Sequence, residues 1–140
     1  MKIFVPLDGS TNSLQSIDYI KKFLAIDEAT TKITLFYVVM YEMYEMANPG
    51  FADISGNGKA EKVLDEAEAK IRSFNPNIQV EKVIEVGSSA ADKIIEAAEA
   101  KNADMIIMGS KGTTNLKRFL LGSVSTRVSQ YASCTVVLVR

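Results

Sequence analysis

The chain predicts an α/β domain built on a parallel sheet. Three observations carry this: strand and helix signals alternate from end to end, the strands are nearly continuous in apolar character, and the helices between them are amphipathic. Lys2–Leu7 is an apolar run ending at Asp8-Gly-Ser, a turn and cap signal. From Asn12 to Ala25, Leu14, Ile17, Ile20 and Leu24 recur at helical spacing, and Lys32–Val39 is a second apolar strand. Lys59–Phe74 places Val63, Leu64, Ala67, Ile71 and Phe74 on one helical face, with Glu66/Lys70 and Glu68/Arg72 as i,i+4 pairs on the other. Asn75-Pro76-Asn77 stops that helix, and Ile78–Val86 alternates as a third strand with a shift of register. Gly87-Ser-Ser caps a helix running through Ile94, Ile95 and Ala98 to about Lys101. Met105–Met108 is a fourth strand, a helix runs from Ser123 to Tyr131, and Thr135–Val139 is the fifth strand.

The reading is therefore β-α-β-α-β-α-β-α-β in one domain over residues 1–140, with helices on both faces and right-handed crossovers. A chain of 140 residues is long enough to bury a core. Its 16 basic and 17 acidic residues leave a formal charge of -1, which argues against nucleic-acid or membrane-surface partners. Histidine is absent, which removes Ser-His and Cys-His nucleophiles and the commonest transition-metal ligand. The lone Cys134 excludes an internal disulfide and reads as a structural thiol before an apolar strand. With no signal-peptide pattern and no apolar run of membrane length, a cytoplasmic protein is expected.

The most informative motif is Gly109-x2-Gly112-x9-Gly122-Ser123, set between a strand and a helix. Glycine admits close backbone approach, and a helix amino end offers unpaired N–H donors at the positive end of its dipole; with Ser123 as N-cap, the pattern reads as an anion cradle. Lys111, Lys117, Arg118 and Arg127 bring positive charge nearby, as phosphate contacts or as solvated surface residues. In open α/β sheets ligands sit beyond the carboxyl ends of the strands. Asp8 at the end of the first strand would face Gly109 at the end of the fourth if those strands are neighbours, and that pairing of a carboxylate with an anion cradle suits a nucleotide. Asp8 would then accept from the ribose or the adenine amino group, or help hold magnesium. Its alternative is an Asx-turn residue starting the first helix.

Two near-matches fail. Gly58-Lys59-Ala60 lacks the first glycine and the Ser/Thr of a P-loop, since residues 53 and 60 are Asp and Ala. No Gly-x-Gly-x-x-Gly follows the first strand, which argues against a nicotinamide dehydrogenase. The long connection Met40–Gly58, with Tyr41, Met43, Tyr44 and Met46, is either a lid over a base or a surface loop. The apolar last strand, Thr135–Val139, has an edge that invites pairing, so a two-fold homodimer through it is expected.

Taken together, Val5-Pro6-Leu7-Asp8-Gly9-Ser10, the strand Leu35–Val39, the Val86-Gly87 turn, Asp104–Gly112 and Leu120-Leu-Gly122-Ser123-Val124-Ser125 resemble the universal stress protein family, in its ATP-binding branch. The likeness spans essentially the whole chain. It departs at Lys111, where relatives often carry His or Arg, and at Thr135, where many carry Pro.

The resemblance implies a three-layer, adenine nucleotide alpha hydrolase-like domain with strand order 3-2-1-4-5, which makes the first and fourth strands adjacent. It implies that Asp8 and Val38 line the adenine and ribose end beside Pro6 and Leu7, that Met108 and Gly109 continue that wall, and that Gly112, Gly122, Ser123 and Val124 hold the phosphates. The expected ligand is ATP or another adenine nucleotide, with magnesium shared between Asp8 and the phosphates. The expected role is a dimeric, nucleotide-dependent regulator of the stress response. The rival is a slow ATPase or a protein that phosphorylates itself, with Ser110, Thr113 or Ser125 as acceptor. Without a histidine base, a Walker lysine or a second carboxylate placed beside Asp8, rapid phosphoryl transfer is not expected. A flavin-binding protein of the same fold class is disfavoured by the lack of tryptophan and of an aromatic pair around the crevice.

Overall fold

The computed structural model describes residues 1–23, 25–41, 58–111 and 122–140. Along the chain run β1 (Lys2–Leu7), α1 (Thr11–Phe23), β2 (Lys32–Met40), α2 (Gly58–Arg72), β3 (Gln79–Gly87), α3 (Ala90–Ala100), β4 (Met105–Gly109), α4 (Ser123–Tyr131) and β5 (Thr135–Val139). The strands form one parallel sheet in the order β3-β2-β1-β4-β5. The expected adjacency of β1 and β4 is present, with Ile3 opposite Met105 and Phe4 opposite Ile106.

Alternation along the strands sorts the core into two layers. Ile3, Val5, Leu7, Ile33, Leu35 and Tyr37 face one way, onto α1 and α2 through Ile17, Ile20, Val63, Leu64 and Ile71. Phe4, Phe36, Ile106 and Met108 face the other way, onto α3 and α4 through Ala91, Ile94, Ala98 and Val128. Each layer takes alternate residues of the same strands, which is why the strands read as continuous apolar runs.

Several local expectations shift. The first helix ends at Phe23, and β3 pairs with β2 residue for residue from Gln79 to Gly87 without the expected register change. Glu68 pairs with Arg72 as expected (2.8 Å), but Lys70 reaches across to Asp18 of α1 (2.7 Å) instead of to Glu66. Ser89 is the cap of α3, its Oγ accepting from the Asp92 N–H at 3.3 Å. Cys134 is partly buried, and that burial raises its thiol pKa. Among the described residues, no helix is long and apolar enough to cross a membrane.

Candidate functional site

At the carboxyl ends of the strands, β1 and β4 part around a cleft of about 290 Å³. One lip is the β1–α1 junction. Gly9 has φ +80°, a left-handed conformation open to glycine at no steric cost. This turn brings the Ser10 N–H to Asp8 Oδ1 at 2.9 Å, an Asx turn. Ser10 then caps α1, its Oγ accepting from Ser13 N–H (3.2 Å), while Ser13 Oγ donates to the Ser10 carbonyl (2.9 Å). The Ser13 N–H at the amino end of α1 is thus satisfied from within. Asp8 Oδ2 has no hydrogen-bond partner among the described residues, so the turn occupies one carboxylate oxygen and leaves the other to the cleft. The charge on Asp8 is felt by Tyr37, whose pKa is raised first by burial and then by that carboxylate.

The opposite lip is built differently. Gly122 is the N-cap of α4, with extended backbone (φ −65°, ψ 153°) and no side chain to cap with. Ser123 is therefore the first helical residue and is exposed, a correction to its expected place as N-cap. The first intrahelical bond is Thr126 N–H to the Gly122 carbonyl (2.9 Å). The N–H groups of Ser123, Val124 and Ser125 precede it and have no acceptor among the described residues. A hub at Ser110 holds this lip in place. Its carbonyl accepts from Gly122 N–H (2.9 Å) and from Ser125 Oγ (2.8 Å), and its own N–H donates to the Val139 carbonyl (2.8 Å).

Between the lips, Pro6, Leu7 and Asp8 line the β1 side, Met108 and Gly109 the β4 side, and Val38 the β2 side. Gly122, Ser123 and Val124 line the α4 side. Nine of the ten residues expected at the site thus share one wall system, while Gly112 lies outside the described residues. Thr113, Lys117, Arg118 and most of the 40–58 connection lie outside them as well. Lys111 also lines the cleft and makes no ion pair among the described residues. Arg127 does not face a ligand freely: its Nε donates to Asp92 of α3 at 2.7 Å.

Gly109 is required for a reason other than ligand approach. A Cβ there would lie 2.8 Å from the backbone C and O of Asn12 and 3.0 Å from the Ser13 nitrogen. The glycine admits the first turn of α1 against the end of β4, and so sets the spacing of the two lips.

Sequence reasoning missed Ser13, Phe36, Ala90, Ile94 and Ser125 as lining residues. Phe36 was recoverable from alternation, since Val38 two residues on shares its face. Ala90 and Ile94 reach the cleft only through the packing of α3, which no local pattern reveals. Of the three hydroxyls considered as phosphate acceptors, Ser110 is 1% and Ser125 2% exposed, and Ser125 Oγ is engaged with two carbonyls.

Comparison with known proteins agrees with this architecture. The family model described as "Universal stress protein family" matches residues 1–140. The chain is 33% identical to Universal stress protein MJ0531 of Methanocaldococcus jannaschii, covering 99% of this chain and 81% of that one. It is 29% identical to Universal stress protein YxiE of Bacillus subtilis, covering 99% and 98%. Among solved structures it resembles the hypothetical protein MJ0577, with a TM-score of 0.78 and 28% identity over 99% of this chain and 94% of that one. It also resembles a universal stress protein in complex with cAMP, with a TM-score of 0.73 and 23% identity over 100% and 96%. A family protein from Arabidopsis thaliana with AMP bound superposes with a TM-score of 0.70 at 18% identity, over 99% and 90%. By sequence over its whole length and by fold, the chain belongs to the universal stress protein family.

Proposed function

We propose that the cleft binds an adenine nucleotide, ATP foremost, and that the protein acts as a dimeric, nucleotide-dependent regulator in the stress response. One observation carries this reading: among the described residues, three N–H groups at the amino end of α4 have no acceptor and lie across the cleft from a carboxylate with one unpartnered oxygen. Hydrogen bonds to a charged group contribute about 1.5–3 kcal/mol each, enough for three to anchor a phosphate chain. The other wall is apolar, from Pro6, Phe36, Val38, Ile94 and Met108, and suits a purine. β2 also outruns β1 by three residues, Val38–Met40, which supports main-chain recognition of the base edge there. The nucleotides held by the cAMP and AMP relatives are of the same class.

Magnesium fits the donor set modestly. Asp8 would hold the ion through Oδ2 together with phosphate oxygens, the usual pattern of one carboxylate plus substrate, and the ion would neutralise phosphate charge. Among the described residues no group of three or more His, Cys, Asp or Glu offers a metal cage.

The reading favours retention over turnover. Self-phosphorylation is disfavoured at Ser110 and Ser125 by their burial. Dimerisation is assigned to β5, an outer strand of five uncharged residues, Thr135–Val139, paired on one side by β4. The expected location is the cytoplasm, where ATP is abundant.

The decisive experiment is mass spectrometry of the small molecule released on denaturing protein purified without added nucleotide, followed by calorimetric titration with ATP, ADP, AMP and cAMP. An adenine nucleotide bound one per chain is expected; no binding of any of the four overturns the reading. Steady turnover of several ATP per second, lost in Asp8→Ala, would replace the regulator by an enzyme. Sedimentation as a dimer, and as a monomer after Val137→Lys, is the expected result for the β5 contact.

A further inference from the structure

The opposite end of the sheet carries a second cavity, also about 290 Å³, at the amino ends of β1, β2 and β3 and beside the carboxyl end of α3. Lys2, Lys32 and Lys101 stand in its wall with a single carboxylate, Glu81. Glu81 binds both Lys32 and Lys101 at 2.7 Å, which fixes the two ammonium groups around one point. Those lysines, Lys101 first, hold the Glu81 carboxyl below the usual carboxylate range, so it stays ionised at neutral pH. The Lys2 ammonium makes no ion pair among the described residues. Asp104 lies near the rim, where its Oδ2 accepts the Lys2 main-chain N–H at 2.6 Å. Even with that carboxylate counted, positive charge is in excess.

The remaining wall supplies the second observation. Thr34 is only 6% exposed and lines this cavity, and its hydroxyl has no hydrogen-bond partner among the described residues. The residue is buried but its hydroxyl oxygen opens to the cavity, where a ligand oxygen can pair with it. The carbonyls at the end of α3 would repel an anion, but Ala97, Ala98 and Glu99 already accept from the N–H groups of Lys101, Ala103 and Asn102. Phe4 and Ala100 complete a small apolar floor.

We propose that this pocket is a binding site for a small tetrahedral oxyanion, free phosphate or the head of a phosphomonoester, held by Lys2, Lys32, Lys101 and the Thr34 hydroxyl. It is independent of the nucleotide reading, since it shares no residue with the cleft. The pair of lysines on Glu81 is the preformed part, and Lys2 is the group left to close on the ligand. A site with this much neutralised charge holds its ligand at millimolar strength.

The test is a titration of the isotopically labelled full-length chain with inorganic phosphate at low ionic strength, followed by amide chemical shifts. Saturable shifts of Thr34 and of Lys101–Ala103 are expected, with sodium chloride at matched ionic strength giving none. Lys2→Ala and Thr34→Val should each weaken that response roughly fivefold, with melting temperature and nucleotide affinity unchanged. Lys2→Ala leaves the Glu81 cluster whole, so a loss of response there is not a loss of fold. Glycerol phosphate in place of phosphate separates the two sources: equal binding identifies an ester head, weaker binding the free ion. Shifts confined to the cleft residues Gly122–Ser125, or shifts at Thr34 that survive both substitutions unchanged, overturn the proposal.

Discussion

The two lips of the cleft are both amino ends of helices, yet one carries a side-chain cap and the other does not. At α1 side chains close the turn: Asp8 accepts from Ser10, Ser10 caps Ser13, and Ser13 returns a bond to Ser10. At α4 Gly122 stands where a capping side chain would, and three N–H groups have no acceptor among the described residues. A capped helix end is worth about 1 kcal/mol to stability. The α4 end forgoes that term, and in the proposed function its donors serve the nucleotide. The Ser110 hub offsets the loss by holding the uncapped end from beneath.

The contrast breaks most completely at Gly122. Its extended backbone accepts any residue, so Gly122→Val should fold, while its branched side chain crowds the free donors. Loss of two such bonds predicts roughly 100-fold weaker ATP binding by calorimetry, at unchanged melting temperature. Gly109→Ala attacks the spacing between the lips. Its Cβ would meet the backbone of Asn12 at 2.8 Å, and backbone cannot swing away, so a destabilisation of about 1–3 kcal/mol in urea titration is expected.

At Asp8 the two roles separate. Asparagine also forms Asx turns, so Asp8→Asn should keep stability while lowering ATP affinity about tenfold through the lost charge. Asp8→Ala should lose both. Ser10→Ala sharpens the contrast from the structural side, costing about 1 kcal/mol of stability with little change in nucleotide affinity. The smallest effect lies away from the cleft. Glu81 has a folded pKa below its unfolded one, so its stabilisation is present above the ordinary carboxylate range and is lost as pH falls through the folded value. Glu81→Gln should therefore flatten the acid side of the melting-temperature profile slightly.

Much of this was legible in the residues themselves. The nine elements, their order and the apolar faces of α1 and α2 follow from periodicity, because each depends on neighbours within one or two turns. The resemblance added the strand order. Errors fell where partners come from elsewhere in the chain. Lys70 chose Asp18 over Glu66 because α1 packs beside α2, and no spacing within α2 encodes that. The N-cap moved from Ser123 to Gly122 because the Ser110 carbonyl takes the Gly122 N–H and so fixes where the helix begins.

By itself, then, the sequence determined the alternation of strands and helices, the absence of histidine chemistry and the glycine pattern at the carboxyl ends of the strands. These are local or compositional properties. Only the tertiary structure decided that Gly109 serves helix packing, that Arg127 is held by Asp92, and that three lysines and a buried threonine meet at the far end of the sheet. Each of those depends on contacts between segments far apart in the chain, which parallel crossovers bring together and which no single window of residues contains.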